Sequence, residues 1–340
     1  MLTDVNIDKI KNDKYFKNLF LNAKFQNLSL NCNILNGNFF SDSFYYFPIT
    51  NNNETFSSLY LRDFSNLSHF YSKQFFNNFL EKKNSFKIFN DIYILGSNSG
   101  NNYYSNLLHF LPRIFFNKSN NIKIAIHRNS SNKYRIFLQS ILNSLNVEFN
   151  FVYLDDEFYY FKNSQFPQFI NLNDSIKILK NFFNPTIKLE NSKKIYVTRE
   201  DSSYRKIINE SDVITLLRQN GYKVINPQLY EIEEQIEIFS DAEKIISPYG
   251  SNLANIIFCK PGTEVFEISP PYTDDEKVFD VRYSNLSKIN NLKHHKLVAD
   301  IVDVEKHSEL AEKYIHPNIL KKSNYYKNLI LKIQDLKKII

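Results

Sequence analysis

The stretch from Lys194 to Pro271 constrains the fold more than any other part of this chain. Its centre reads Ile245-Ile246-Ser247-Pro248-Tyr249-Gly250-Ser251-Asn252-Leu253-Ala254-Asn255, and Pro261-Gly262-Thr263 then opens Glu264-Val265-Phe266-Glu267-Ile268. An apolar strand ends in a small-residue turn, a short helix follows, and a second strand carries a carboxylate near its end. In an open parallel sheet, ligands bind outside the carboxyl ends of the strands, where a tight turn feeds a helix. We expect a strand at Lys244 to Ser247, close backbone approach at Gly250, a left-handed conformation tolerated at Asn252, and Glu267 accepting hydrogen bonds from sugar hydroxyls. This is the layout of a nucleotide pocket, and a plain Rossmann-like strand-turn-helix without ligand is its structural alternative.

The segment upstream supports the first reading. Ile195-Tyr196-Val197-Thr198-Arg199 closes a β-rich run, a polar loop carries Arg205, and Asn209-Glu210 precede a helical pattern through Leu217. Guanidinium groups bind phosphate oxygens in a bidentate manner, so two arginines around a strand-end loop suit a diphosphate. Taken alone they are equally compatible with surface charges.

Earlier in the chain the same alternation is visible. A strand is expected at Asp91 to Leu95, a helix at Tyr103 to Phe116, a strand at Ile122 to His127, a helix at Lys133 to Leu145 and a strand at Phe149 to Leu154. A strand-turn pair is expected around Ile34 to Phe47. Residues 161 to 192 read as an interdomain stretch, with Pro167 and Pro185 as breakers and a helix near Asp174 to Phe183. Strands alternating with helices indicate α/β sheets with right-handed crossovers. In the helix from Tyr103, the residues Asn102, Asn106, His109 and Arg113 recur at helical spacing and form one polar stripe, beside an apolar one. His109 can take a proton near neutrality and is a candidate general base. His127 follows a strand and could meet a ligand, whereas His69, His307 and His316 read as ordinary residues. His294-His295 would point to opposite faces of a strand and make poor joint metal ligands. Asp155-Asp156-Glu157 follows a strand, and Asp155 with Glu157 could hold a divalent cation, a turn being the plainer reading.

At 340 residues the chain can bury two cores, and 31 Phe with 22 Tyr supply bulk that one Met and no Trp do not. Two cysteines, Cys32 and Cys259, outside any Cys-x-x-Cys arrangement, suggest a reduced, cytoplasmic protein. Met1 to Phe20 lacks an apolar core of signal-peptide length, and no apolar run suits a transmembrane helix. A net charge of +6 suits an anionic ligand or membrane surface and is too diffuse for nucleic acid. Near the C-terminus, Tyr326, Leu329, Ile330, Ile333, Leu336 and Ile340 recur at helical spacing among lysines, so an amphipathic helix is expected over Lys321 to Ile340. Its apolar stripe would pack on the rest of the chain, or it would touch a membrane through its lysines.

Taken together, these segments resemble glycosyltransferase family 61, whose bacterial members include capsular polysaccharide biosynthesis proteins. The likeness runs from Tyr196-Val197-Thr198-Arg199 through Arg205, Asn209-Glu210, Gly221-Tyr222, Gln235, Phe239 and Ala242 to the turn, Pro261-Gly262-Thr263 and Glu267. A second block, Asn102-Tyr103-Tyr104-Ser105-Asn106-Leu107-Leu108-His109-Phe110-Leu111-Pro112-Arg113, is similar to the family's Asn-Tyr-Tyr-His-Trp segment ending in Leu-Pro-Arg. Departures occur at Tyr249-Gly250-Ser251-Asn252, where the family turn reads His-Gly-Ala-Gly. Ser105 stands for a family His, Asn106 for Trp, and His109 where an acidic residue is frequent.

The resemblance implies two Rossmann-like domains facing across a cleft, the GT-B arrangement: residues 1–185 on the acceptor side, 186–318 for the donor, and a closing helix at 319–340 packed back on the N-terminal domain. It implies an inverting transfer from a nucleotide-sugar, a UDP-sugar foremost, to a glycan or lipid-linked acceptor at the inner face of the cytoplasmic membrane, with no cofactor and no metal. On this reading Arg199, Arg205, Asn209, Glu210, Tyr249, Gly250, Ser251, Asn252, Asn255, Thr263 and Glu267 surround the donor. Asn102, Ser105, Asn106 and Arg113 line the acceptor side, His109 is the base and Arg205 stabilises the leaving group. The alternative is a catalytically silent relative that binds a nucleotide or glycan within a polysaccharide-assembly complex.

Overall fold

The computed structural model describes residues 20–25, 28–43, 46, 48–51, 81–82, 84–183 and 193–340, with backbone alone up to residue 33. Residues 1–19, His69 and Pro185 lie outside the described residues, as does the side chain of Cys32. Among the described residues no helix is long and apolar enough to cross a membrane. The chain forms two compact units, Met1–Leu179 and Lys180–Ile340.

The first unit is built on a mixed sheet. Its strands are β1 (Phe20–Phe25), β2 (Leu28–Asp42), β3 (Pro48–Thr50), β4 (Lys87–Asn90), β5 (Ile92–Ile94), β6 (Asn121–His127), β7 (Glu148–Leu154) and β8 (Phe158–Pro167). The main order is β1-β2-β8-β5-β6-β7; β3 pairs with β2 and β4 with β8. Strands β5, β6 and β7 are parallel, as the alternation predicts, and α1 (Asn132–Ser144) links the last two. The expected strand-turn pair appears as β2 and β3, which pair antiparallel from Phe39↔Thr50 to Ser41↔Pro48. Leu35, Phe39, Tyr46, Ile94, Phe110, Phe161, Phe166 and Phe169 belong to one buried cluster packed with this sheet.

Two expectations for this unit are overturned. The interdomain stretch from residue 161 is instead the end of β8, a strand inside the sheet that pairs with β2, β4 and β5. Pro167 ends that strand without interrupting it, because a proline at the last position forfeits little of the ladder. The helix at Tyr103 to Phe116 is helical but not regular. One α-turn (Tyr103–Ser105) passes into a π-helix (Asn106–Phe110) and then a 3-10 helix (Leu111–Phe116) containing Pro112. Widening and then tightening the turn breaks the even polar stripe drawn from a 3.6-residue period.

The second unit carries a parallel sheet of β9 (Lys193–Val197), β10 (Lys223–Ile225), β11 (Ala242–Pro248), β12 (Glu264–Ser269) and β13 (Lys293–Val298), ordered β10-β9-β11-β12-β13. The chain runs outward from β9 to the edge strand β10 and then crosses back over β9 to β11, so the winding reverses between β9 and β11. At such a switch point the loops leaving two neighbouring strands diverge and open a crevice at their carboxyl ends. The loops here begin at Thr198-Arg199 and Tyr249-Gly250. Helix α2 (Glu210–Gln219) follows the first, and a 3-10 helix (Ser251–Phe258) follows the second.

The C-terminal helix expected over Lys321 to Ile340 is also corrected. The segment is a 3-10 turn (Asn324–Tyr326), a strand β15 (Asn328–Ile330) and a short helix (Ile333–Lys337). Strand β15 pairs antiparallel with β14 (Asp300–Val302), and Leu329 bridges to Ile207. Leu329, Leu331 and Leu336 are buried in the second unit's own core with Tyr196, Val213 and Leu217. The period-3.6 pattern was real, but these long-range backbone pairings override local helix preference, which amounts to only tenths of a kcal/mol per residue.

Candidate active site

The site begins with a lock on the end of β9. Glu210, in the first turn of α2, accepts hydrogen bonds from Tyr196 (2.6 Å) and Thr198 (2.7 Å), and the Thr198 N–H donates to Ile225 (2.9 Å). The next residue, Arg199, is therefore launched from a fixed point. Its side chain lies against Gly250, where any Cβ would fall 2.9 Å from Arg199 Cζ and closer still to Nη1. Gly250 is needed for that approach and not for its backbone, which is extended at φ −178°. The expected close approach is thus made by a side chain of the protein. Asn252 is helical, and the left-handed residue is Arg205.

Arg205 sits at φ +57°, a conformation bulky residues rarely adopt. The flanking backbone is held from the C-terminal segment: Lys206 N–H donates to Asn328, Leu329 N–H to Lys206, and Ile208 N–H to Leu329. Asn209 reinforces this by donating to the Leu331 carbonyl (2.8 Å) and accepting from the Leu331 N–H (3.1 Å). Such a left-handed residue costs about 1–3 kcal/mol and persists where its surroundings over-determine it. Asn209 and Glu210 therefore act here as braces for the two arginines, with their side-chain bonds directed to the protein itself.

The two guanidiniums lie among tyrosines. Arg205 Cζ is 4.1 Å from the Tyr325 ring centroid, 4.8 Å from Tyr204 and 5.1 Å from Tyr249. The Tyr249 ring meets Tyr283 at 4.8 Å, Tyr325 at 5.5 Å and Tyr272 at 5.8 Å. Arg205 and Tyr249 are buried, whereas Arg199, Ser251 and Asn252 keep part of their surface in solvent. Arg199 Nε and Arg205 Nε and Nη1 are enclosed with no hydrogen-bond partner, as are the hydroxyls of Tyr249 and Tyr272. Among the described residues neither arginine has a carboxylate within ion-pair distance.

The electrostatics follow from that enclosure. Burial, and then repulsion from Arg205, push the Arg199 guanidinium down to about 10. Burial also disfavours charge on Arg205, but the phenolic oxygens of Tyr325, Tyr204, Tyr249 and Tyr272 outweigh it and raise its pKa. For Tyr325, burial acts upward, yet Arg205, Arg282 and Arg199 hold the phenol below its ordinary value. Burial raises Tyr249 and Tyr272 strongly. An enclosed, unpaired guanidinium N–H costs more than the 1–3 kcal/mol of a neutral orphan, and an anion supplying oxygens would recover that cost.

Glu267 is wholly buried. Its Oε2 stands 3.2 Å from His294 Nε2, within ion-pair distance but out of hydrogen-bond alignment, and His294 Nδ1 pairs with Ser287 at 2.9 Å. Burial raises the Glu267 pKa against the pull of His294. His295 turns the other way and stacks on Phe266, so the adjacent histidines do diverge. Asn255 is buried in a network with Gln235, whose amide donates to Pro227 and Tyr230. Thr263 lies at the opposite edge of the sheet, before β12, and donates to Ala242. A parallel sheet separates the starts of its strands from their ends, so Thr263 is not brought to the arginines.

In the first unit the proposed acceptor residues separate. Arg113 is fully buried; its guanidinium donates to Pro167 (2.9 Å from Nε) and Leu95 and lies 4.0 Å from the Phe169 ring centroid. It closes the core instead of facing solvent. Asn106 is buried and accepts from the Asn98 N–H (2.7 Å), and Asn102 caps its helical turn by accepting from Ser105 N–H (3.0 Å). His109 is half-buried, edge-on to Tyr104 at 5.6 Å. Asp155 is engaged by Arg128 (2.6 Å) and Asp156 by His127 (2.8 Å), so both carboxylates meet partners from the chain itself. Among the described residues no group of three or more His, Cys, Asp or Glu gathers to hold a metal ion.

Sequence reasoning missed Tyr325, Tyr272, Tyr283 and Arg282. No spacing ties them to Arg205, because the approach is made through β14, β15 and the turn after β12. Two braced arginines with enclosed, unpartnered N–H groups at a switch point have the chemistry to hold an anionic ligand. The family model for glycosyltransferase 61 matches residues 49–266. The chain belongs to glycosyltransferase family 61 and is a glycosyltransferase, acting on a sugar donor and an acceptor. No curated protein matches it.

Proposed function

We propose that the second unit binds the diphosphate of a nucleotide-sugar, with Arg199 and Arg205 on its oxygens. One observation carries this reading: two guanidiniums with enclosed, orphaned N–H groups at the carboxyl edge of a parallel sheet, with no carboxylate within ion-pair distance among the described residues. A carboxylate ligand would satisfy one guanidinium; a diphosphate offers oxygens to both. Glu267 belongs to the sugar- or ribose-recognising side of the site, and Ser251 and Asn252 to its solvent-facing rim.

In the transfer we infer, the acceptor hydroxyl loses its proton to a base and attacks the anomeric carbon. The bond to the diphosphate breaks with its electron pair leaving on the phosphate oxygen, and the configuration inverts. Arg205 and Arg199 stabilise the charge that develops on the leaving group, the step at which preorganised donors contribute most. His109 is the candidate base, carried by the unit assigned to the acceptor. The two α/β units are the halves of a GT-B type enzyme on this reading. A UDP-sugar is the expected donor, and a glycan or lipid-linked glycan of a cell-surface polysaccharide the expected acceptor, on the cytoplasmic side.

The test is thermal unfolding against UDP, GDP, CMP, dTDP and their sugar conjugates, with and without a chelator. Saturation at about a hundred times Kd adds roughly 2.7 kcal/mol, a readable rise in Tm. A rise with one nucleotide class is expected, surviving the chelator and lost in Arg205→Asn, which removes the guanidinium while tolerating a left-handed backbone. No shift at millimolar nucleotide would refute the donor site and favour the silent, glycan-binding relative. For His109, an unchanged pH–rate profile in His109→Ala would rule it out as the base.

A further inference from the structure

The C-terminal segment beyond the family-matched residues 49–266 contributes directly to the arginine cluster. Tyr325 is buried in that segment, with its ring stacked on Phe279 at 4.0 Å and beside Arg205. The Arg205 Cζ lies 4.1 Å from the centre of that ring. The Tyr325 backbone is fixed independently: the Tyr325 N–H donates to Glu276 (3.0 Å), Ser323 donates to the same carboxylate oxygen, and the Thr273 N–H donates to the other (3.0 Å). A neutral tyrosine hydroxyl has a proton to give. Close by are the enclosed, unpartnered N–H groups of Arg205 and Arg199.

We infer that Tyr325 is a further donor-binding residue, whose hydroxyl gives its hydrogen bond to a phosphate oxygen held by Arg205. This rests on the diphosphate reading above and adds to it a residue that the family-matched segment does not contain. The groups around the ring support it. Arg205, Arg282 and Arg199 supply positive charge, the rings of Tyr249 and Tyr326 pack against Tyr325, and Glu276 is engaged by Ser323 and by the Thr273 and Tyr325 N–H groups. Three guanidiniums hold the phenol below its ordinary pKa although burial acts upward, which makes its O–H a stronger donor. A diphosphate bound there would oppose ionisation of the phenol and return its pKa upward.

The experiment uses the full chain with inorganic pyrophosphate and the four nucleoside diphosphates, followed by calorimetry, together with an alkaline titration of phenolate absorbance. Tyr325→Phe keeps the ring contacts and should keep Tm, while losing roughly tenfold or more in affinity, the cost of one hydrogen bond to a charged group. In the wild-type protein one tyrosine should ionise ahead of the others, shift to higher pH with pyrophosphate, and vanish from the titration in Tyr325→Phe. Unaltered affinity in Tyr325→Phe, or an early tyrosine indifferent to pyrophosphate, would overturn the inference and leave the two-arginine site standing. Failure of the wild-type protein to bind any of these diphosphates would sink the donor site and this inference together. The wild-type titration decides the matter even if the variant does not fold.

Discussion

Gly250→Ala isolates the seat of one arginine from everything else in the fold. The backbone at Gly250 is extended, at φ −178°, so alanine meets no conformational penalty and gains a little from a less flexible unfolded chain, about 0.4–1 kcal/mol. The new methyl, however, would lie 2.9 Å from Arg199 Cζ and 3.1 Å from Cδ, with Nη1 nearer still. The atoms in the way are the far end of a flexible, partly exposed side chain, so the guanidinium swings out and the core does not move. Stability should then change by no more than about 1 kcal/mol. Binding should suffer far more, because a hydrogen bond to a charged group contributes about 1.5–3 kcal/mol, a factor of roughly 10 to 150 in Kd. Calorimetric titration with the nucleotide that stabilises the wild-type protein measures the second quantity, and urea unfolding the first. Unchanged affinity would refute the role of Arg199. A large loss of stability would refute the argument that only the guanidinium is displaced.

Three further outcomes test the buried polar contacts. Asn209→Ala removes both hydrogen bonds to the Leu331 backbone and should cost about 1–3 kcal/mol, read by urea unfolding, with earlier proteolytic release of the C-terminal segment. Arg113→Met strips donors from the buried Pro167 and Leu95 carbonyls, so unfolding should show at least about 1–3 kcal/mol of lost stability. Glu276 is held below its ordinary pKa: burial opposes this, but bonds from Ser323, Thr273 and Tyr325 outweigh it. Its contribution is therefore complete above the unfolded value of about 4.3 and is lost as pH falls through the lower folded value. The Tm gap between wild type and Glu276→Gln should be constant at neutral pH and close only under acid, and a gap independent of pH would contradict the clamp.

Much of the architecture was legible in the amino-acid sequence. Ile122 to His127, Lys133 to Leu145 and Phe149 to Leu154 carry their own periodicities, and the observed elements agree within a residue or two. The turn at Tyr249-Gly250 and the loop holding Arg199 and Arg205 likewise announce a strand-end site, since parallel strands place successive loops on one edge. Local pattern failed where a long-range partner decided the outcome. Tyr326, Leu329 and Leu336 recur like a helix, yet Leu329 pairs with Ile301 and Ile207, and Asn209 captures Leu331. The stripe from Asn102 to Arg113 likewise dissolved when the π-turn rotated it and the carbonyls of Leu95 and Pro167 drew Arg113 into the core.

The sequence by itself determined the alternating α/β plan, the family and the two arginines. Only the tertiary structure decided that Asn209 and Glu210 brace them, that Thr263 lies at the far edge, and that Tyr325 reaches Arg205. The physical reason is that periodicity and turn chemistry act over a few residues. Burial, charge pairing and the meeting of Tyr325 with Arg205 depend on which distant segments the packed chain brings together.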